Sequence, residues 1–107
     1  MDTTQYEKAA RAAIRALYGT PEGEYGPTLF VSHHLSELDA DAWIKACQTK
    51  APEAAEVLDS LVLIGSWSST GDDRTDVFDF SLPNSVTNYL LSVRFVDGEV
   101  AEVTMES

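Results

Sequence analysis

The chain has 107 residues, 44% hydrophobic and 23% charged, which suits a single domain over residues 1–107 and is too apolar for a disordered chain. Eighteen acids against seven bases give a net charge of −11, a field that repels nucleic-acid phosphates and anionic membranes, so neither is expected as a partner. No apolar run of about 18 residues could span a bilayer; the opening residues show no secretory leader, and the single Cys47 excludes an internal disulfide and fits a reducing, cytoplasmic setting.

Thr4, with Glu7 three residues on, has the pattern of a capping box and predicts a first helix. Tyr6, Ala10, Ala13, Ile14, Leu17 and Tyr18 follow at three- and four-residue spacing and mark its apolar face. Gly19 suits the left-handed position past the helix end, and Thr20-Pro21 prevents continuation. Residues 20–27 hold Pro21, Gly23, Gly26 and Pro27 and read as a loop. Residues 28–31 form a short extended candidate that leads into His33-His34. A second helix begins near Asp39, a good N-cap, and carries Trp43, Ile44 and Cys47. Lys50-Ala51-Pro52 ends it, and Pro52 fits the first position of a third helix with Glu53 at its positive end. Val57, Leu58 and Leu61 are expected to face inward from there.

From Leu61 the apolar period changes to that of extended chain. Leu61-Val62-Leu63-Ile64 is apolar on both faces, which predicts a strand covered by helices on one side. Thr70-Gly71-Asp72-Asp73 makes a turn. Phe78, Phe80 and Leu82 then alternate with Val77, Asp79 and Ser81 as a half-buried strand, ended by Pro83-Asn84-Ser85. Tyr89, Leu91, Val93 and Phe95 line the next strand, and Ala101, Val103 and Met105 the last. Asp97-Gly98 marks the hairpin between them. A plain two-residue loop would put Glu102 and Glu106 on the buried face. A three-residue loop over Val96-Asp97-Gly98 instead pairs Val93 with Ala101, Leu91 with Val103 and Tyr89 with Met105, so the longer loop, with Gly98 in a bulge, is expected. The resulting fold class is α+β: about three N-terminal helices packed on one face of a four-stranded antiparallel meander sheet.

His33-His34 is the first candidate for chemistry, because imidazoles titrate near neutrality and ligate metals. In an extended stretch the two rings would point to opposite sides and could not grip one ion; Glu37, Asp39 and Asp41 add no established ligand spacing. One ring is therefore expected under the sheet and one at the surface. Asp72, Asp73, Asp76 and Asp79 lack the spacing of a calcium loop and read as a solvated turn, or as a docking surface for Lys and Arg side chains. Gly65-Ser66-Trp67-Ser68-Ser69 lacks the flanking glycines of a nucleophile elbow. Cys47 reads as a small buried hydrophobe. Gly23 and Gly26 lie among Glu22 and Glu24, which would repel phosphate. No catalytic residue, metal site or cofactor is expected. Among the aromatic residues Trp43, Trp67 and Phe30 read as core, and Tyr25, in its Gly- and Pro-bounded loop, reads as a contact residue.

Three stretches carry a family resemblance: Phe30-Val31-Ser32-His33-His34-Leu35, Val77-Phe78-Asp79-Phe80, and Asn88-Tyr89-Leu90-Leu91-Ser92-Val93-Arg94-Phe95, with Met105-Glu106-Ser107 at the end. Over about the last three-quarters of the chain, this pattern resembles the bacterial domain-of-unknown-function family DUF2004. The resemblance implies a bacterial cytosolic α+β protein and supplies no activity or catalytic residue.

The charge is unevenly spread: residues 1–20 carry a net +1, while residues 21–69 and 70–107 carry −6 each. The expected function is a non-catalytic interaction or regulatory module, immunity-like or inhibitor-like, that binds a basic protein surface. Tyr25, His33, His34, Asp72, Asp73 and Asp76 are its candidate binding residues. The alternative is a small metal-binding protein or hydrolase using the His33/His34 region with an acid from Glu37, Asp39 or Asp41. A free sheet edge could also pair with its twin, so monomer and homodimer both stay open.

Overall fold

The computed structural model describes residues 3–107; the opening Met1 and Asp2, on which the leader reading partly rests, lie outside it. Four helices come first: α1 (Thr3–Leu17), α2 (Pro27–Glu37), α3 (Ala40–Cys47) and α4 (Ala54–Ser60). Four strands follow, β1 (Val62–Trp67), β2 (Val77–Ser81), β3 (Leu90–Val96) and β4 (Glu99–Glu106), in an antiparallel meander of order β1-β2-β3-β4. The α+β class and the meander are as the sequence predicts, with one helix more than expected.

The additional helix is α2. Residues 28–31 are helical, not extended, because Pro27 sits in the first turn, where its fixed φ and missing N–H cost nothing. Phe30, Val31 and His34 are then buried together. That is a helical spacing, and packing overrides the strand preference of a four-residue window.

Helix starts also shift. Thr3 is already helical, so Thr4 lies inside the first turn, and Glu7 pairs with Arg11 one turn on at 2.8 Å. Asp39 caps α3 as expected, its carboxylate accepting from the Ala42 N–H at 2.9 Å. Pro52 does not open α4; Glu53 is the N-cap, and its N–H donates to the Glu56 carboxylate at 3.1 Å.

The helices cover one face of the sheet. Ala10 and Ile14 of α1 are buried with Tyr6, Ala13 and Leu17 packed beside them, whereas Tyr18 is exposed. The Tyr6 ring stacks on Phe78 at 5.3 Å and meets Phe95 edge-on at 4.8 Å. Arg11 donates to the Leu61 carbonyl at 2.7 Å with its guanidinium 5.1 Å from the Phe80 ring centre, which ties α1 to the start of β1. Leu61 itself is buried just past the end of α4.

The hairpin departs from the expected register. The loop is two residues, Asp97 and Gly98, both at positive φ, with Val96 opposite Glu99 and Phe95 opposite Val100. The register then slips, leaving Ala101 as an extra residue, so that Arg94 faces Glu102, Val93 faces Val103 and Leu91 faces Met105. The extra residue therefore lies inside β4, not in the loop. It keeps Glu102 off the buried face, as the three-residue loop was invoked to do, and Ala101 is exposed rather than inward.

A second slip interrupts β1. Val62 pairs with Ser81 and Leu63 with Phe80, but Gly65, not Ile64, is next, opposite Asp79, followed by Ser66 opposite Phe78 and Trp67 opposite Val77. Strict alternation would place Leu63 and Trp67 on one face. The bulge at Ile64 separates them: Leu63 packs against the core, and Trp67 lies on the face away from the helices, half exposed at 50%. The expectation that Trp67 is core is corrected here, while Trp43 and Phe30 are buried as expected.

Candidate interaction surface

Three groups of residues compete for a functional role. The first is His33-His34, now on a helix, where adjacent side chains diverge by about 100° rather than pointing to opposite sides. His34 is buried and both its ring nitrogens are engaged. Nδ1 lies 2.7 Å from the Phe30 carbonyl, which can only accept, so Nδ1 carries the proton. Nε2 lies 2.9 Å from the Thr87 hydroxyl and accepts from it. That hydroxyl in turn accepts the Tyr89 N–H at 3.2 Å. Burial lowers the His34 pKa from 6.5, the neighbouring His33 adds to the shift, and the Phe30 carbonyl opposes it. His33 is half-buried, its ring 4.7 Å from that of Tyr89. The neutral His34 thus clamps α2 to the turn before β3. Among the described residues, no three His, Cys, Asp or Glu side chains are grouped to hold a metal ion.

The second group is the acidic loop between β1 and β2. Asp76 accepts from the Ser69 N–H at 2.7 Å and from the Ser69 hydroxyl. Asp72 accepts from the Arg74 N–H at 2.8 Å and from the Ser68 hydroxyl at 3.3 Å. These donors lower both carboxyl pKa values, chiefly the Arg74 amide for Asp72 and the Ser69 hydroxyl for Asp76. The two aspartates therefore shape the loop while staying at the surface. Asp73 is exposed.

The third is the sheet face turned away from the helices. Trp67, Val77, Arg94 and Glu102 form one row across the four strands. The Trp67 indole N–H donates to Asp79 at 3.0 Å, and the Ser92 hydroxyl donates to the other carboxylate oxygen. Arg94 and Glu102 pair at 2.9 Å. Val77 and Ser81, expected on the solvent side, are both buried, and Ser81 donates to the Tyr89 carbonyl at 2.7 Å. Between Trp67, Val77, Leu90 and Glu106 lies an open depression of about 410 Å³.

Tyr25 lies at the β4 edge of the sheet. Its side chain is 73% exposed beside β4, and its carbonyl accepts the Met105 N–H at 3.1 Å. The fold thus brings His33 and His34 together, brings Asp72 and Asp76 together through loop bonds, and leaves Tyr25 at the opposite sheet edge. Trp67 and Asp79 are the pair that alternation alone misses. The one available sign was Gly65, since a glycine inside an apolar strand often marks a bulge.

No known family model matches this chain, and no curated protein or solved structure matches it either.

Proposed function

We propose that the protein is a non-catalytic interaction module that takes a basic protein surface on the open face of its sheet. The observation that carries this reading is Trp67, half exposed yet fixed by its bond to Asp79, beside an apolar depression rimmed by Glu102 and Glu106. A large aromatic side chain held in one orientation gives contact area at little entropic cost. The net charge of −11 favours a basic partner and speeds its encounter. No helix among the described residues is long and apolar enough to cross a membrane. A reducing, cytoplasmic setting suits the single, part-buried Cys47.

The test is capture of a partner from lysate at two salt concentrations, with wild type and Trp67→Ala side by side. A basic protein should be retained by the wild type at low salt. It should be released as the Debye length falls from about 10 Å at 0.1 M to about 3 Å at 1 M, and lost with Trp67→Ala. Retention that ignores both salt and the substitution removes this reading.

A further inference from the structure

Among the described residues, no strand pairs with the outer edge of β1. β1 pairs with β2 alone, and Val62, Ile64 and Trp67 are all exposed, Ile64 by 53%. Apart from its chain neighbours, no described residue comes within 4 Å of where a Gly65 side chain would begin. Residues 60–71 contain no charged residue, and β1 has no proline. Charge and proline are common means by which an edge strand avoids pairing. The bulge at Ile64 blunts this edge in part.

We propose that this edge receives an extended, lysine- or arginine-bearing segment of a partner protein, which pairs its backbone with β1 as a fifth strand. The inference rests on the basic-partner reading above and names its mode of attachment. Strand addition gives affinity through main-chain hydrogen bonds and specificity through alternate side chains. Apolar side chains of the segment lie beside Ile64 and Trp67. Basic ones meet the acidic loop that follows the strand, where Asp72 and Asp73 are exposed beside Arg74. A second copy of this chain is the poorer occupant. Each copy carries −11, and two rigid bulged edges would have to match each other, whereas a flexible segment conforms to one.

The probe is a short peptide of alternating valine and lysine, compared with a valine–glutamate peptide and with a valine–lysine peptide N-methylated on every amide. Amide exchange of the full chain is followed by NMR at low salt. Expected is binding of the unmodified valine–lysine peptide alone, with exchange of amides in Val62–Trp67 slowed about tenfold or more. Ile64→Lys, at an exposed position, should weaken that binding by about tenfold, and Asp73→Asn by a smaller factor. Binding that leaves the β1 amides unchanged and perturbs only the open face or the acidic loop overturns strand addition while sparing the basic-partner reading. Failure of the lysine peptide to bind overturns strand addition, and salt-sensitive lysate capture still judges the broader reading. Slowed β1 exchange that rises with protein concentration and needs no peptide assigns the edge to a second copy, which also overturns it.

Discussion

The two edges of the sheet are built in opposite ways. β4 is closed: the Tyr25 carbonyl accepts from Met105, Gly26 lies against the Val103 carbonyl, and Glu99, Glu102 and Glu106 line the strand. β1 is open along its length and uncharged. Both strands are bulged, at Ala101 and at Ile64, so a bulge by itself does not distinguish them. What differs is the covering loop and the charge. A chain with this many acids thus leaves one edge neutral, with Val62, Ile64 and Trp67 exposed along it.

The largest test of this contrast is on the closed edge. A Cβ at Gly26 would stand 2.4 Å from the Val103 carbonyl oxygen, a backbone atom that cannot step aside. Gly26→Ala should cost about 2–3 kcal/mol of stability by urea unfolding, because the Tyr25–Gly26 segment must lift from β4. Faster exchange of the Met105 amide should accompany the loss. A neutral result would show that the loop does not seal the edge.

A change that touches neither edge gives the next effect. Thr87→Val removes the hydroxyl that donates to His34 Nε2 and accepts from Tyr89, leaving a buried nitrogen without its partner; about 1–2 kcal/mol should be lost. The same clamp sets a pH dependence. His34 has a pKa below 6.5 in the fold, so the unfolded chain binds a proton at a pH where the folded chain does not. Its contribution is complete above 6.5 and declines as the pH falls through the lowered folded value. The urea midpoint should therefore drop on acidification from about pH 7.5 to about pH 5.5. His34→Gln should flatten that fall. An unchanged slope in the variant would show that His34 is not held neutral.

How far the sequence carries can be judged from these same strands. The meander, the helix caps at Asp39 and Gly19, and the inward set Phe78, Phe80, Leu91, Val93 and Val103 follow from spacing and turn chemistry. Hydrophobic period reports which side a residue faces, so the parity argument at Glu102 was sound and yet could not place the extra residue. Two bulge sites satisfy the same parity, and the intrinsic fit of Asp97-Gly98 to a two-residue turn decided between them. The same blindness hid Trp67, since one extra residue in β1 reverses every side chain beyond it. For α2, the strand-like preference of residues 28–31 masks a helical stripe, Phe30, Val31 and His34, whose third member is polar. Of the candidate site residues, the histidines and the acidic loop were visible as residue types, but their internal partners come from Thr87, Phe30 and Ser69, which no local pattern signals.

The smallest expected effect sharpens the comparison most, because it is made with the same substitution on the other edge. Gly65 has no positive φ, and an added methyl there meets nothing within 4 Å. Alanine also restricts the unfolded chain more than glycine does, so Gly65→Ala should leave stability unchanged or raise it by up to about 1 kcal/mol. Side by side, Gly26→Ala and Gly65→Ala differ by one methyl group on opposite edges of one sheet. A loss at Gly65 comparable to that at Gly26 would mean that something covers β1 in solution. At low protein concentration and without a partner, the cover would have to be this chain itself, and the open edge would then be a closed one.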